Sequence, residues 1–338
     1  MKKKNLKYIA GKLGINASTV SRALSKRTEH MVKESTRNKV FDLVKKEGFK
    51  PDIQARNLKK QKLTNLTFIL PVGMDSIFYN EYYMEILKGL SKVIIDSEYT
   101  LTILPIQIDY TADEIFRRLL DHETAGLILS PYCKKLEIPF ELLKNYNFPV
   151  VSIDNKIEHK NFYNILLDHK HAGALGAKIL SEKGYRDLIL ISDQGKSLHS
   201  EVRKKGFYGF FKKNEKIRAE IKNIELPFTF LSGIQAIEAI KRTVKFPAGV
   251  FSLNDEIAVN MLINLPKYGI TCPRDINLIG FDGLKIGTMT RPRLSSIAFP
   301  FEQIGIETAS LLINVLDGKK QANTITIQAS LIPGESCG

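Results

Sequence analysis

The sequence predicts an all-α helix-turn-helix module followed by an α/β body of two lobes with a cleft between them. Three observations carry that prediction. The first is the placement of charge. Residues 1–62 hold 18 Lys/Arg against 5 Asp/Glu, a balance of +13, while residues 63–338 hold 32 against 31, so nearly all of the net +14 lies in the first fifth of the chain. The second is a glycine turn between two short apolar helical stripes inside that basic segment. The third is the alternation of apolar strand runs with amphipathic helical patterns through the remainder.

A compact basic segment on a neutral body reads as a polyanion-binding module joined to something else. A solvated lysine-rich tail would carry the charge without the periodicity. The first helix is predicted over Leu6–Leu13, with Leu6, Ile9, Ala10 and Leu13 on one stripe. Gly14 follows and permits a tight turn. Asn16 is a good N-cap for a second helix over Ala17–Leu24, with Val20, Ala23 and Leu24 inward. Ser18, Ser21, Arg22 and Ser25 fall on its other side, and Ala17 lies at the exposed N-terminal edge. A third helix is predicted over Lys33–Glu47, with Val40, Leu43 and Val44 inward; Gly48 ends it and Phe49 folds back on the core.

Two short helices joined by a glycine turn can place the second in a DNA major groove by its N-terminal end. Small polar residues allow close approach to base edges. Arg22 is the one long donor on that face and suits guanine O6/N7 or a phosphate. Thr19 and Ser21 suit phosphate oxygens. The bland alternative is a structural three-helix bundle with a wet polar face.

Beyond residue 62, strands are predicted at NLTFILP (65–71), TLTILPI (100–106), GLILS (126–130), PVVSID (149–154), LILIS (188–192), AGVFSL (248–253) and INLIGF (276–281). Helical patterns lie between them: YYMEILKGLSKVIID, ADEIFRRLLDH, HAGALGAKILSEKG and GIQAIEAIKRTV. Such alternation gives parallel sheets covered by helices, and ligands bind such sheets at the carboxyl ends of their strands. Polar residues stand there: Asp154, Asp168, His169, Asn254, Asp255 and Asp282. Each alone is as well explained as a loop or capping residue.

Several classes are excluded or disfavoured. No apolar run reaches the roughly 18–20 residues of a membrane span, and the basic N-terminus has no apolar region after it, so neither a membrane span nor a secretory signal is expected. Cys133, Cys272 and Cys337 are far apart and odd in number, which fits a reducing cytosol. No CxxC, HExxH, P-loop or GxSxG is present, and GALG at 173–176 lacks the full GxGxxG context. The expectation is therefore no enzyme, no metal and no cofactor.

The segment NLKYIAGKLGINASTVSRALS, with Thr19, Val20, Ser21 and Arg22 as its TVSR element, resembles the N-terminus of the LacI/GalR family of bacterial transcription regulators. ESTRNKVFDLVKKEGFKP resembles the family's third helix, and DIQARNLKKQK its hinge, with Ala55, Arg56, Asn57 and Leu58 as the A-R-x-L element. The likeness covers essentially the whole chain. It implies a DNA-binding headpiece over 1–50, a hinge over 51–62 and a body over 63–338. The body would be two Rossmann-like lobes of the periplasmic-binding-protein type, lobe 1 about 63–165 plus 296–322 and lobe 2 about 166–295 plus 323–338.

By this resemblance Ala17 and Ser18 choose bases, and the hinge folds on the operator, where Leu58 wedges into a minor-groove step. Effector contacts map to Asp154, Arg203, Phe228, Asn254 and Asp282. Carboxylates, amides and an aromatic face suit a polyol, so a sugar or sugar phosphate is expected, with a nucleoside, nucleobase or protein corepressor as alternatives. An aromatic pair also belongs in the site, either Phe78/Tyr79 or Tyr82/Tyr83; spacing to Gly89 favours Tyr82/Tyr83. The expected partners are near-palindromic operator DNA and a second copy of the chain, met on helices near Glu85–Ile95. A carbohydrate-binding protein with no regulatory role is the alternative from another class.

Overall fold

The computed structural model describes residues 6–24, 31–47, 63–72, 81–131, 133 and 136–338. Three helices come first: α1 (Leu6–Leu13), α2 (Ala17–Ala23) and α3 (Glu34–Glu47). Ile9, Ala10, Val20, Ala23 and Val40 are their buried core, and Leu6, Leu13, Leu24, Leu43 and Val44 pack on it. The predicted inward stripes are the ones that meet. Gly14 adopts φ 65°, the left-handed turn conformation that costs glycine least. Tyr8 donates to Glu47 at 3.1 Å and Lys12 pairs with the same carboxylate, clasping α1 to the end of α3. Gly48 and Phe49 lie outside the described residues, as does Ser25.

Two details of this bundle differ from expectation. Asn16 stands at the N-cap of α2 but makes no capping bond with its side chain; its backbone carbonyl accepts from Thr19 and Val20 instead. Asn16 is exposed, where leaving a cap amide to solvent costs little. Ala17 is half-buried against the bundle core and not fully at the edge.

The rest of the chain forms two α/β units. Contacts divide the protein into Met1–Leu166 with Glu302–Ile325, and Leu167–Phe301 with Thr326–Gly338. The sheet of the first unit contains β1 (Asn65–Val72), β2 (Thr100–Gln107), β3 (Thr124–Leu129), β4 (Val150–Ile153), β5 (Phe162–Leu167) and β11 (Thr324–Ile327). Its order is β11-β5-β4-β3-β1-β2, and the pairs from β2 to β5 are parallel. Helices α4 (Glu81–Ile94), α5 (Ala112–Asp121), α6 (Phe140–Asn145) and α11 (Phe301–Leu316) accompany it. β4 is buried along its whole length, as a parallel strand covered on both faces must be.

The second unit repeats the plan with α7 (His169–Glu182), β6 (Asp187–Asp193), α8 (Leu198–Lys213), β7 (Glu220–Leu226), α9 (Ser232–Thr243), β8 (Ala248–Ser252), α10 (Asp255–Asn264), β9 (Ile276–Phe281), β10 (Ser295–Ala298) and β12 (Ser330–Ile332). The order is β12-β10-β9-β8-β6-β7; only β10 and β12 pair antiparallel among the pairs recorded there. In each sheet the first strand sits inside the second, and later strands add on the other side. This doubly wound order leaves a crevice at the carboxyl ends of the strands where the winding reverses.

Every strand predicted from an apolar run is present. The NILL run before Asp168 is the end of β5, and the elements that the sequence did not announce are β7, β10, β11, β12, α6, α8, α10 and α11. β7 reads EIKNIEL and lies at a sheet edge, so it needs no apolar run. The glycines of GALG have a packing role. A Cβ on Gly173 would collide with the Arg203 carbonyl, and one on Gly206 with that of Lys170, so α7 and α8 cross with backbones touching.

Candidate functional site

On the second unit, the carboxyl ends of β6, β8, β9 and β10 deliver Asp193, Leu253–Asn254, Phe281–Asp282 and Phe299 to one side of the sheet. Helices α7 and α8 add His169, His199 and Arg203. Arg203 is the hub. Its guanidinium carbon lies 3.6 Å from the centroid of the Phe281 ring. Its Nε donates to His169 Nδ1 at 3.2 Å and its Nη1 to the Leu253 carbonyl at 3.3 Å. Nη1 also stands 4.0 Å from Asp282 Oδ1. The ring below and the carbonyl beside it fix the guanidinium plane, so its direction is set before any ligand arrives.

Asp282 follows β9 with φ 113°, a conformation that side chains rarely adopt, and Gly283 continues at φ 69°. The strained turn is held from beneath by Asp255, which is fully buried at the start of α10. Its carboxyl accepts from the Leu284 amide at 2.8 Å and from Ser296 Oγ at 2.8 and 3.0 Å, while Ser296 Oγ also accepts from the Gly283 amide. Burial pushes the Asp255 carboxyl up to about 6, against the pull of these hydrogen bonds.

Burial likewise pushes Asp282 up to about 7, opposed first by the charge of Arg203 and aided by those of Asp255 and Glu256. The side chain keeps 30% of its surface open, so a ligand can reach a carboxyl whose ionisation the surrounding protein disfavours. Asn254 caps α10 by accepting from the Ile257 amide at 3.1 Å and also hydrogen-bonds the Asp282 carboxyl. The face thus offers a planar cation, a carboxyl and an amide within one constellation. That set brackets hydroxyls with donors and acceptors, and it contains no nucleophile paired with a base.

Of the residues predicted to contact an effector, Arg203, Asn254 and Asp282 come together here. Phe228 lies half-buried against the apolar core of the same unit. Asp154, Tyr82 and Tyr83 belong to the first unit. Asp154 follows β4 with φ 57°. Tyr82 and Tyr83 meet edge to face at 4.9 Å on α4; Tyr83 is buried at 3% exposure and Tyr82 half-buried. Phe78 and Tyr79 lie outside the described residues. The sequence reading missed the roles of Asp255, Ser296 and His199. Asp255 beside Asn254 was a visible signal; His199 had none, because α8 itself was not announced.

On the three-helix bundle, Ser18, Ser21 and Arg22 are exposed on α2, while Ala17 and Thr19 are half-buried. Ala55, Arg56 and Leu58 lie outside the described residues. Among the described residues no helix is long and apolar enough to cross a membrane.

Comparison with known proteins gives a consistent set of relatives. A family model described as a periplasmic binding protein-like domain matches residues 177–337. The HTH-type transcriptional regulator AscG of Escherichia coli is 25% identical over 337 residues, covering 97% of this chain and 96% of that protein. The lac repressor dimer bound to operator and an anti-inducer superposes with TM-score 0.67 at 18% identity, over 99% of both chains. The complex of the regulator CelR with cellobiose superposes with TM-score 0.63 at 19% identity, over 98% of this chain and 99% of that one.

Proposed function

We propose that the chain is a LacI/GalR-type transcription regulator: a homodimeric, cytoplasmic repressor that binds a near-palindromic operator and releases or grips it in response to a sugar-like small molecule, as its likeness to HTH-type regulators over nearly its whole length supports. One observation carries the reading. A single chain joins a basic helix-turn-helix, with Ser18, Ser21 and Arg22 exposed on its second helix, to an α/β unit whose strand ends assemble Arg203, Asn254 and Asp282. Neither half explains the other unless binding at one is coupled to binding at the other.

The headpiece over 1–50 reads the operator through Ala17, Ser18, Thr19, Ser21 and Arg22. The hinge over 51–62, with Ala55, Arg56 and Leu58, folds on DNA. The body binds the effector through Arg203, Asn254 and Asp282, with Asp154, Phe228 and the Tyr82/Tyr83 pair in support. Structural neighbours agree in kind: a repressor dimer bound to operator in one case and a regulator in complex with cellobiose in another. Coupling is reciprocal: a ligand that weakens operator binding is itself bound more weakly by the operator complex.

The test is a thermal-shift screen against sugars, sugar phosphates, nucleosides and nucleobases, repeated with an operator obtained by selection from random DNA. A ligand at 100 times its Kd stabilises the protein by about 2.7 kcal/mol. A sugar-class hit whose affinity changes on operator binding supports the reading. Selection that recovers no preferred sequence removes it.

A further inference from the structure

Helix α8 has two faces. Inward, Gly206 meets α7 backbone to backbone, Phe207 is fully buried and Arg203 lies over Phe281. Outward, Glu201, Lys204, Lys205, Tyr208, Gly209 and Lys212 line a groove of about 500 Å³. Their spacing of three and four residues sets them on one stripe of the helix. We propose that this groove docks an acidic segment of a partner protein, one in which carboxylates flank an apolar side chain.

Positive charge is concentrated here. The body over 63–338 carries +1 in total, yet residues 198–218 hold 7 Lys/Arg against 2 Asp/Glu, a balance of +5. The rest of the body is therefore net acidic. Lys212 and Lys213 occupy the last turn of α8, where a cation suits the negative end of the helix dipole. Lys204 and Lys205 lie in the middle of the helix, where the dipole gives no such reason for a cation. A merely solvated helix face would mix the two signs along the stripe; on this one Glu201 is the single acid.

The shape adds to the charge. Lys205 and Lys212 are exposed, and Lys204 is half-buried with its ammonium 2.7 Å from Glu225 on β7, which fixes its stem along the groove. Tyr208 follows Lys204 and Lys205 by one helix turn, precedes Lys212 by another, and is 36% exposed. A Cβ on Gly209 would meet nothing within 4 Å, so the space beside Tyr208 is open to an incoming side chain. Lysine stems and a tyrosine ring offer apolar contact, and the ammonium groups offer charge at its rim. A protein segment can match that pattern residue by residue. A phosphate backbone matches it less well, because its evenly spaced charges would meet Glu201 in the groove and Glu225 beside Lys204.

The experiment is fluorescence anisotropy on the full chain at about 0.1 M salt, where the Debye length is about 10 Å. A short DNA duplex in excess occupies the basic headpiece. The probe is a labelled peptide with a leucine after every two glutamates; one counterpart has glutamine for glutamate and another has glycine for leucine. The glutamate–leucine peptide is expected to bind about tenfold more tightly than either counterpart. Lys205→Glu with Lys212→Glu should weaken it about tenfold or more. Lys319→Glu with Lys320→Glu, the same change of charge on exposed lysines of the first unit, should weaken it less than about threefold. Tyr208→Ala should remove the advantage of leucine over glycine. Thermal melting checks that each variant folds, and Lys205→Gln with Lys212→Gln serves if the reversed pair does not. Equal losses from the two lysine pairs overturn the inference, because net charge and not the groove then governs binding. A glycine counterpart bound as tightly as the leucine peptide, or a leucine advantage that survives Tyr208→Ala, overturns the apolar seat and the inference with it. Failure of the peptide to bind beside the duplex overturns it as well, the outcome expected if these lysines hold nucleic acid.

Discussion

Arg203 lies over Phe281, its guanidinium carbon 3.6 Å from the ring centroid, and 4.0 Å from the carboxyl of the next residue, Asp282. Strand β9 therefore supplies both the platform and the counter-charge for a side chain that comes from α8. Arg203→Lys keeps the charge but loses the plane, the bond to His169 and the stacking. The expected outcome is loss of ligand-induced thermal stabilisation, with a fold destabilised by about 0.5–2 kcal/mol. Urea denaturation with and without ligand checks both parts.

Asp255→Asn should loosen the turn that presents Asp282. An amide replaces one accepting oxygen with a donor, opposite the Leu284 amide or the Ser296 hydroxyl that now donate to it. A buried mismatch of this kind costs about 1–3 kcal/mol. Effector affinity should fall, while the isolated step of operator binding by α2 should be little changed. Calorimetry and a gel-shift assay on the same preparation separate the two.

The raised carboxyls predict a pH dependence whose sign can be worked out. Asp255 and Asp282 hold protons in the folded state up to about 6 and about 7, whereas in an unfolded chain they lose them near 3.8. Between those limits the folded state binds more protons, so their contribution to stability is present below pH 4 and lost as pH rises through 6 and 7. Asp282→Asn should flatten that decline. Chemical denaturation of both proteins at intervals from pH 4 to 8 measures the difference in slope.

Gly173→Ala tests the contact between α7 and α8. The added methyl would meet the Arg203 backbone, which has no rotamer to change. The cost expected is at least about 1–3 kcal/mol. Because the contact lies one helix turn from His169 and at Arg203 itself, ligand response should weaken along with the melting temperature.

Arg22→Ala tests the DNA face. It is exposed on α2, so stability should stay within about 0.5 kcal/mol of wild type. Affinity for the selected operator should fall by about 1–3 kcal/mol. Fluorescence anisotropy on specific and scrambled duplexes distinguishes lost base reading from lost charge.

The amino-acid sequence by itself determined the charge division, the three helices of the basic segment and every strand with a continuous apolar run. These are local properties. Leu6, Ile9, Ala10 and Leu13 recur at helical spacing because they face one core, and VVSI and LILIS are almost wholly apolar because a central parallel strand is covered on both faces. Asn254 and Asp282 were also legible beside those strands, and Arg203 through the resemblance to the LacI/GalR family. The tertiary structure alone decided what surrounds them. His169 and His199 are 30 residues apart along the chain, and nothing periodic links them; they stack because α7 and α8 cross at Gly173 and Gly206. Asp255 looked like one more polar residue at a strand end, yet it faces inward to hold the Asp282 turn. Edge strands such as β7 stayed hidden because a strand with one neighbour can be polar. Local pattern reports burial, whereas a site is made where distant segments meet, and only packing brings them together.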